Sequence, residues 1–385
     1  MDMIYFDNSA TTAPYPSVIE EMTRTLTEEW GNPSSVHTVG IHARSVLDES
    51  RRRVARALGI RREEEGRVIF TSSGTEADQL AILGSVYAKR RPERNGSRGK
   101  ILTTDSEHPA VEECMKRLEA DGFTVCRVPT RGGILDMNFI RENADGAILA
   151  SFMLVNNESG AHYDVKTAFS FVRALSPDCV THTDAVQGFG KVRFTPAMLG
   201  ADMVTVSAHK IGGPKGIGAL YIAPHLRNPR PLLPGGGQEF TLRSGTEATA
   251  QIAGFAKAVE LRTANYDQII AQLTELKAYC REKLSQIPTL VEIGKGEAPH
   301  ILAISLPGYP SANVVTELGE QGICISAGSA CHKGKSSHVV SALGLDKRTA
   351  AGVLRLSFGP ETTREDIDAV CDALQRHKEQ RFAML

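Results

Sequence analysis

Between about residues 45 and 260, seven short β-rich runs alternate with helical patterns: RVIF, KILTT, FTVCRV, GAILASFMLV, CVTHTD, DMVTVS and GALYI. That rhythm restricts the chain to an α/β layer fold. Parallel neighbours need a crossover of a dozen or more residues, and the helical stretches near 76–89 and 110–121 have that length, so the sheet is expected to be mainly parallel. One connection is too short: between DMVTVS and GALYI there is only AHKIGGPKGI, so those two strands are predicted to be antiparallel neighbours with Lys210 in their turn. After GGGQEFTLRSGTE the pattern changes to a long helix from about Ala248 to Pro288 with a break near Asn265. Strands near HILAISL and ICIS and a C-terminal helix from Arg364 follow. At 385 residues the chain exceeds one ordinary core, and this last part reads as a second, smaller α+β domain.

Lys plus Arg number 44 against 45 Asp plus Glu, so no global field draws the chain to nucleic acid or anionic lipid. The opening MDMIYFDNSATT carries an early acid and no long apolar run, and no later segment is long enough to span a bilayer. A soluble, cytoplasmic protein is expected. The seven cysteines (Cys114, Cys126, Cys179, Cys280, Cys324, Cys331 and Cys371) are scattered, odd in number and free of any CxxC pair, which argues against a disulfide framework and against a metal site.

A lysine traps an aldehyde only as the neutral amine, and burial or nearby positive charge lowers its pKa from roughly 10.4 toward that form. Lys210 follows Ser207 and His209 at the end of a β run and precedes GGPKG, whose glycines admit a ligand close to the backbone. Taken alone it reads equally as a solvated lysine beside a turn. The run CVTHTDAVQGFG adds a strand ending in Asp184, with Gln187 just beyond. A carboxylate there points into the crevice where open α/β folds bind ligands, and it could keep a pyridine nitrogen protonated; the alternative is a helix cap. An acid for a ring nitrogen and a lysine for an aldehyde are the minimal pair for pyridoxal 5′-phosphate chemistry. In VIFTSSGTEADQLAI a strand, a small-residue turn and a helix start let backbone amides and Thr75 face an anion. The stretch matches neither the Walker pattern nor the dinucleotide fingerprint, and an ordinary capping box on Ser73 or Thr75 is its other reading. Cys331 lies in GSACHKGKSS beside His332, Lys333 and Lys335, charges that favour the nucleophilic thiolate. Incidental exposure is the alternative for Cys331, while the cysteines in helical and β runs read as packing residues.

Ten blocks in order resemble the cysteine desulfurases of the class V aminotransferase superfamily, in the group that assembles iron-sulfur clusters and supplies sulfur for tRNA thiolation. They are YFDNSATT, GNPSSVHTVGIHAR, IFTSSGTEAD, EHPAV, VNNESG, HTDAVQGFGK, SAHKIGGPKGIGALY, GGGQEFTLRSGTE, SAGSAC and LRLSFG. The resemblance implies fold type I of the pyridoxal-phosphate enzymes, the aspartate aminotransferase fold. Its large domain, here 15–261, would carry a mostly parallel seven-stranded sheet, and 1–14 with 262–385 would form the small domain. It implies that Lys210 bears the cofactor as a Schiff base, that Asp184 pairs with the ring nitrogen, and that Gln187 reaches the ring hydroxyl. His108 of EHPAV would stack on the ring and move protons. Gly74, Thr75, Ser207 and His209 would bind the phosphate, with Thr246 contributed by the other subunit of a homodimer. Asn157 and Arg355 would hold the carboxylate of L-cysteine, and Cys331 would take the sulfur as a persulfide, leaving alanine and passing sulfur to an acceptor protein.

Two departures stand out. Ala327 in SAGSAC replaces a hydroxyl usual in the family, and the stretch from Cys331 to SHVV is a couple of residues shorter than in the well-known members. A shorter loop reaches less far, which leaves open a different sulfur acceptor or a specialised biosynthetic pathway. The competing readings are another class V enzyme, such as a selenocysteine lyase or an aminotransferase, and a catalytically idle sulfur-carrier scaffold.

Overall fold

The computed structural model describes residues 3–62, 67–88, 96–294, 296–328 and 337–381. The chain starts with a two-residue strand, β1 (Ile4–Tyr5), and the seven expected runs follow as β2 (Arg67–Thr71), β3 (Lys100–Thr104), β4 (Thr124–Val128), β5 (Ala147–Ser151), β6 (Val180–Asp184), β7 (Met203–Ser207) and β8 (Gly218–Ile222). They form one sheet in the order β2-β8-β7-β6-β5-β3-β4. The pairs β7–β6, β6–β5, β5–β3 and β3–β4 are parallel, whereas β8 runs antiparallel to both β7 and β2. The short turn carrying Lys210 therefore reverses the chain as its length required.

Central strands of such a sheet are covered on both faces, and the residues of β7 and β8 are accordingly all buried. The helix Gly74–Tyr87 is apolar nearly all round, with Leu80, Ala81, Ile82, Leu83 and Val86 all buried, as a helix sandwiched between sheet and neighbours requires. The predicted long helix is two, Thr249–Ala264 and Tyr266–Leu284, divided at Asn265 where φ is −118°.

Beyond it, β9 (Val291–Glu292), β10 (Ile301–Ser305), β11 (Ile323–Cys324), β12 (Ser326–Ala327) and β13 (Val353–Ser357) complete the strands. The run ICIS, expected as one strand, is split: β11 pairs parallel with β1, while β12 joins the antiparallel sheet β12-β13-β10-β9. The split arises because the N-terminal arm lies against this region, offering a second set of hydrogen-bonding partners; Phe6 N donates to Cys324 O at 2.8 Å. Phe6 packs with Leu276, Leu302, Leu354, Leu356 and Leu374 in a core distinct from the one beneath the large sheet. The last helix, Arg364–Gln380, begins with a capping box in which Thr363 and Asp366 satisfy each other's backbone amides.

The N-terminal arm continues from this second core to the large sheet. Thr12 donates from both N and Oγ1 to His209 O, at 2.9 and 2.8 Å, and Gly212 N donates to Thr12 Oγ1 at 2.7 Å. The arm thus braces the Lys210 turn.

Candidate active site

Five strands of one orientation end at the same edge of the large sheet, and the residues following each of them meet there: Ser73 and Gly74 after β2, His108 after β3, Asn157 after β5, Asp184 at the end of β6, and Lys210 after β7. Together they line a cavity of ≈ 260 Å³. This is the crevice at the carboxyl ends of parallel strands, where backbone that leaves the ladder has polar groups free for a ligand.

Each side chain is placed by local chemistry. After β2, Ser73 caps the helix Gly74–Tyr87, its Oγ accepting from Glu76 N at 3.1 Å, so the amides of Gly74 and Thr75 fall in the first turn and have no intrahelical acceptor. The capping reading and the anion-site reading of this stretch are thus compatible. Gly218, at the start of β8, makes the turn possible: a Cβ there would stand 2.5 Å from Ser73 C and 2.7 Å from Gly74 N. His108 caps its own helix, Pro109–Ala120, with Nδ1 accepting from Ala110 N at 3.2 Å, which leaves Nε2 as the protonated nitrogen of the neutral ring. The buried Asn156 builds the VNNESG turn, its Oδ1 accepting from Glu158 N and Ser159 N at 2.9 and 2.8 Å while Nδ2 donates to Ser106 O. Asn157 is thereby carried into the cavity.

Asp184 is 6 % exposed and its Oδ1 accepts from Val186 N at 2.9 Å. Burial raises its pKa, against the opposing pull of His108 and Lys210. Two further buried acids lie nearby. Burial lifts Asp78 well above the carboxylate range and Glu107 to about 8, and the charge of Asp184 adds to both. Three neighbouring carboxyls in a dry site cannot all ionise, which favours keeping the charge on Asp184, the one beside cationic groups. Lys210 Nζ donates to Ser9 O and Ala10 O at 2.5 and 2.7 Å. Burial, then the charge of Arg355, lowers its pKa to about 8, while Asp7 and Asp184 act in the opposite sense. A minor but substantial share of the amine is therefore neutral near physiological pH, far more than for an ordinary lysine.

Of the residues singled out in the sequence, Gly74, Thr75, His108, Asn157, Asp184, Gln187, Ser207, His209 and Lys210 line this cavity. Arg355 does not line it: its guanidinium donates to Asn157 O at 2.8 Å, to Asp7 Oδ1 at 2.7 Å and to Ser326 Oγ at 3.0 Å. It stands directly behind Asn157. Thr246 is exposed and lies outside the lining. Cys331, with His332, Lys333 and Lys335, lies outside the described residues. Sequence reasoning overlooked Asp78, Met153, Val155 and Val186 of the lining and the turn-building Asn156, and it offered Ser73 only as a helix cap. Asp78 sits four residues into the helix from Gly74, a spacing that puts it on the same helix face and could have marked it.

A helix start with free amides, a lysine of lowered pKa and a buried acid in one sheet crevice are the equipment of an enzyme that carries a phosphorylated aldehyde on lysine. The chain belongs to the class-V aminotransferase family, whose pattern matches residues 4–370. It is 37% identical over 381 residues to a cysteine desulfurase of Trichormus azollae, covering 97% of this chain and 92% of that protein. It is 36% identical over 381 residues to the cysteine desulfurase IscS of Dictyoglomus turgidum, covering 97% of this chain and 94% of that protein. Among solved structures, a NifS-like protein superimposes with a TM-score of 0.89 at 33% identity, covering 98% of this chain and 100% of that one. The family depends on pyridoxal 5′-phosphate.

The residues present fit that cofactor. Among the described residues Asn157 Oδ1 is buried with no hydrogen-bond partner and lines the cavity. A Cβ at Gly74 would meet Val186 Cγ2 at 3.0 Å, closing part of the cradle. Among the described residues no group of His, Cys, Asp or Glu could hold a metal ion, and no helix is long and apolar enough to cross a membrane.

Proposed function

We propose that this protein is a cysteine desulfurase that converts L-cysteine to L-alanine and receives the sulfur on Cys331. The observation that carries the reading is the convergence of Lys210, Asp184 and the amides of Gly74 and Thr75 on one cavity, in a chain related over nearly its full length to cysteine desulfurases. When bound, pyridoxal phosphate supplies a covalent handle for the substrate amine and a sink for the electrons released at the substrate Cα. The amides of Gly74 and Thr75, with Ser207 and His209, hold the phosphate, and Thr246 of a second copy completes that set in a homodimer. Asp184 keeps the ring nitrogen protonated, Gln187 faces the ring hydroxyl, and His108 covers the ring.

Asn157 and Arg355 take the substrate carboxylate. Arg355 is pre-aimed for this task by Asp7 and Ser326, and among the described residues its buried Nε has no partner. Lys210, neutral in part at physiological pH, removes the proton from the substrate Cα. The Cys331 thiolate attacks the substrate Sγ; the Sγ–Cβ bond breaks, its electron pair remains on the Cβ side, and protonation there gives alanine. The enzyme is left with a persulfide, so one cysteine and one thiol become one alanine and one persulfide, which an acceptor protein discharges. The released sulfur serves iron-sulfur clusters, tRNA thiolation or a related biosynthesis in the cytoplasm. The two cores support a large domain over 15–261 and a small one formed by 1–14 with 262–385.

The test is to mix the purified protein with cysteine and a reductant. Alanine and sulfide are expected together, and both are lost in Cys331→Ala while the visible chromophore remains. Amino transfer that survives Cys331→Ala refutes the desulfurase reading.

A further inference from the structure

Gln187 is held by the N-terminal arm, by its own segment and by the C-terminal part of the chain. Its Nε2 donates to Ser9 O, in the N-terminal arm, at 2.8 Å. Its Oε1 faces Lys191 Nζ at 3.2 Å, one turn further along the chain, and His300 Nε2 at 3.4 Å, on the residue before β10. All three side chains are buried: Gln187 is 4%, Lys191 3% and His300 1% exposed. Gln187 lines the cavity, whereas Lys191 and His300 do not.

We propose that Lys191 and His300 are positioning residues that, with Ser9 O, hold the Gln187 carboxamide with an N–H left for the cavity, so that it offers this N–H to the ring oxygen of the cofactor. The inference rests on the cofactor reading above.

The two ends of an amide are alike in shape, and only their partners distinguish them. Ser9 O is a carbonyl and can only accept, so the atom beside it is the NH₂ group. Lys191 Nζ has hydrogens to give in either protonation state, and it donates to the oxygen that this polarity places beside it. Turning the amide over would set Gln187 Oε1 against Ser9 O, two acceptors face to face, and would take from Lys191 Nζ and His300 Nε2 the oxygen they face.

His300 agrees with this polarity. Donation from Nε2 requires the neutral tautomer with a bare Nδ1, and Nδ1 is the ring nitrogen that lacks a hydrogen-bond partner among the described residues. Burial, reinforced by the positive charges around it, holds His300 well below its ordinary pKa and so keeps the ring neutral. Lys191 is likewise driven well below the usual lysine range by burial and by Arg262 and Lys210. A neutral amine still donates, and it adds no further charge beside Lys210. With one Nε2 hydrogen given to Ser9 O, the second is the polar hydrogen that Gln187 has left for the cavity. A donor at the ring oxygen stabilises its ionised form, and His300 makes that preference depend on the C-terminal part of the chain.

The experiment compares holoprotein of the parent with Lys191→Met, His300→Leu and His300→Gln, reading three quantities: the dissociation constant for pyridoxal phosphate, the ratio of visible to near-ultraviolet absorbance across the neutral pH range, and the thermal midpoint. Lys191→Met is expected to weaken cofactor binding by roughly threefold to tenfold, the worth of one net hydrogen bond. It should also move the absorbance ratio toward the un-ionised form, with a thermal midpoint at or above the parent's because an apolar chain of similar length replaces a buried amine. His300→Leu should change the ratio in the same direction, and His300→Gln, which keeps a donor, should restore it. An absorbance ratio in Lys191→Met equal to the parent's overturns the proposal, even if the protein is less stable, because a merely structural role predicts that result. A parent protein that takes up no chromophore overturns the cofactor reading itself, and this inference with it.

Discussion

Gly218→Ala tests how the phosphate cradle is built. The added Cβ would stand 2.5 Å from Ser73 C and 2.7 Å from both Gly74 N and Ser73 O, all backbone atoms. Strand β8 cannot retreat easily, because Gly218 is paired with Thr71 on one side and Ser207 on the other. The turn at Ser73 and Gly74 must therefore shift by about 0.9 Å to reach ordinary van der Waals contact at 3.4 Å. Hydrogen bonds from amides to a phosphate are normally about 2.7–2.9 Å long, and such a shift carries them past the useful limit. Losing the bonds from Gly74 and Thr75, each worth roughly 1.5–3 kcal/mol to a charged acceptor, removes about 3 kcal/mol or more. That corresponds to roughly 10²-fold weaker binding. The assay is titration of apoprotein with pyridoxal phosphate and, in parallel, with pyridoxal, which has no phosphate. Gly218→Ala should lose affinity for the first and leave the second nearly unchanged. Affinity for pyridoxal phosphate within about threefold of the parent, or equal losses for both compounds, refutes the assignment of this turn as the cradle.

Other expectations concern Lys210, Glu107 and the lock on the sheet edge. With Lys210 lowered to about 8, the rate of chromophore formation from apoprotein and pyridoxal phosphate should rise with pH and level off above that value, as the reactive neutral amine becomes dominant; a stopped-flow profile still climbing near 10 would contradict its placement. Glu107, raised to about 8, retains a proton that the unfolded chain releases from about 4.3 upward. Its contribution to stability therefore falls as pH rises through that window, and Glu107→Gln should flatten the dependence in denaturation series; an unchanged slope would show that Glu107 is ionised when folded. Glu239→Ala should destabilise the fold by roughly 3–5 kcal/mol, because it strands Arg51, whose guanidinium grips both Glu239 carboxylate oxygens at 2.6 and 2.7 Å. It also frees Phe70 N on the edge strand and three consecutive left-handed residues, Glu239, Phe240 and Thr241. Urea titration measures the loss, and one below about 1 kcal/mol is the surface-pair outcome.

The site is made of local pieces joined by long-range approach, and the two were not equally legible. Strand runs, the tight Lys210 turn and the interruption at Asn265 follow from short-range rules of spacing and turn length, and the structure places them where the sequence indicated. The ICIS run shows where those rules stop. Its residues have strand character throughout, yet Ile323 pairs with Ile4 and Ser326 with Arg355, partners more than 300 residues away in one case and 29 in the other. Hydrophobic pattern states that a segment pairs but carries no information about which of several edges it will meet.

Arg355 offers the same lesson at the site itself. The family resemblance implied that it binds a carboxylate, but its actual company is Asp7, Ser326 and the backbone of Asn157, which arrive from three separate segments. Sequence alone determined the class of fold and located Lys210, Asp184 and the Gly74 turn, because each is a strand-end or helix-start feature written within a dozen residues. Only the tertiary structure decided the surroundings of those residues: Gly218 making room for the Gly74 turn, Asp78 and Glu107 beside Asp184, and Lys191 and His300 holding Gln187 from behind. Burial and charge at a point depend on every segment that converges there, and convergence is a property of the folded chain.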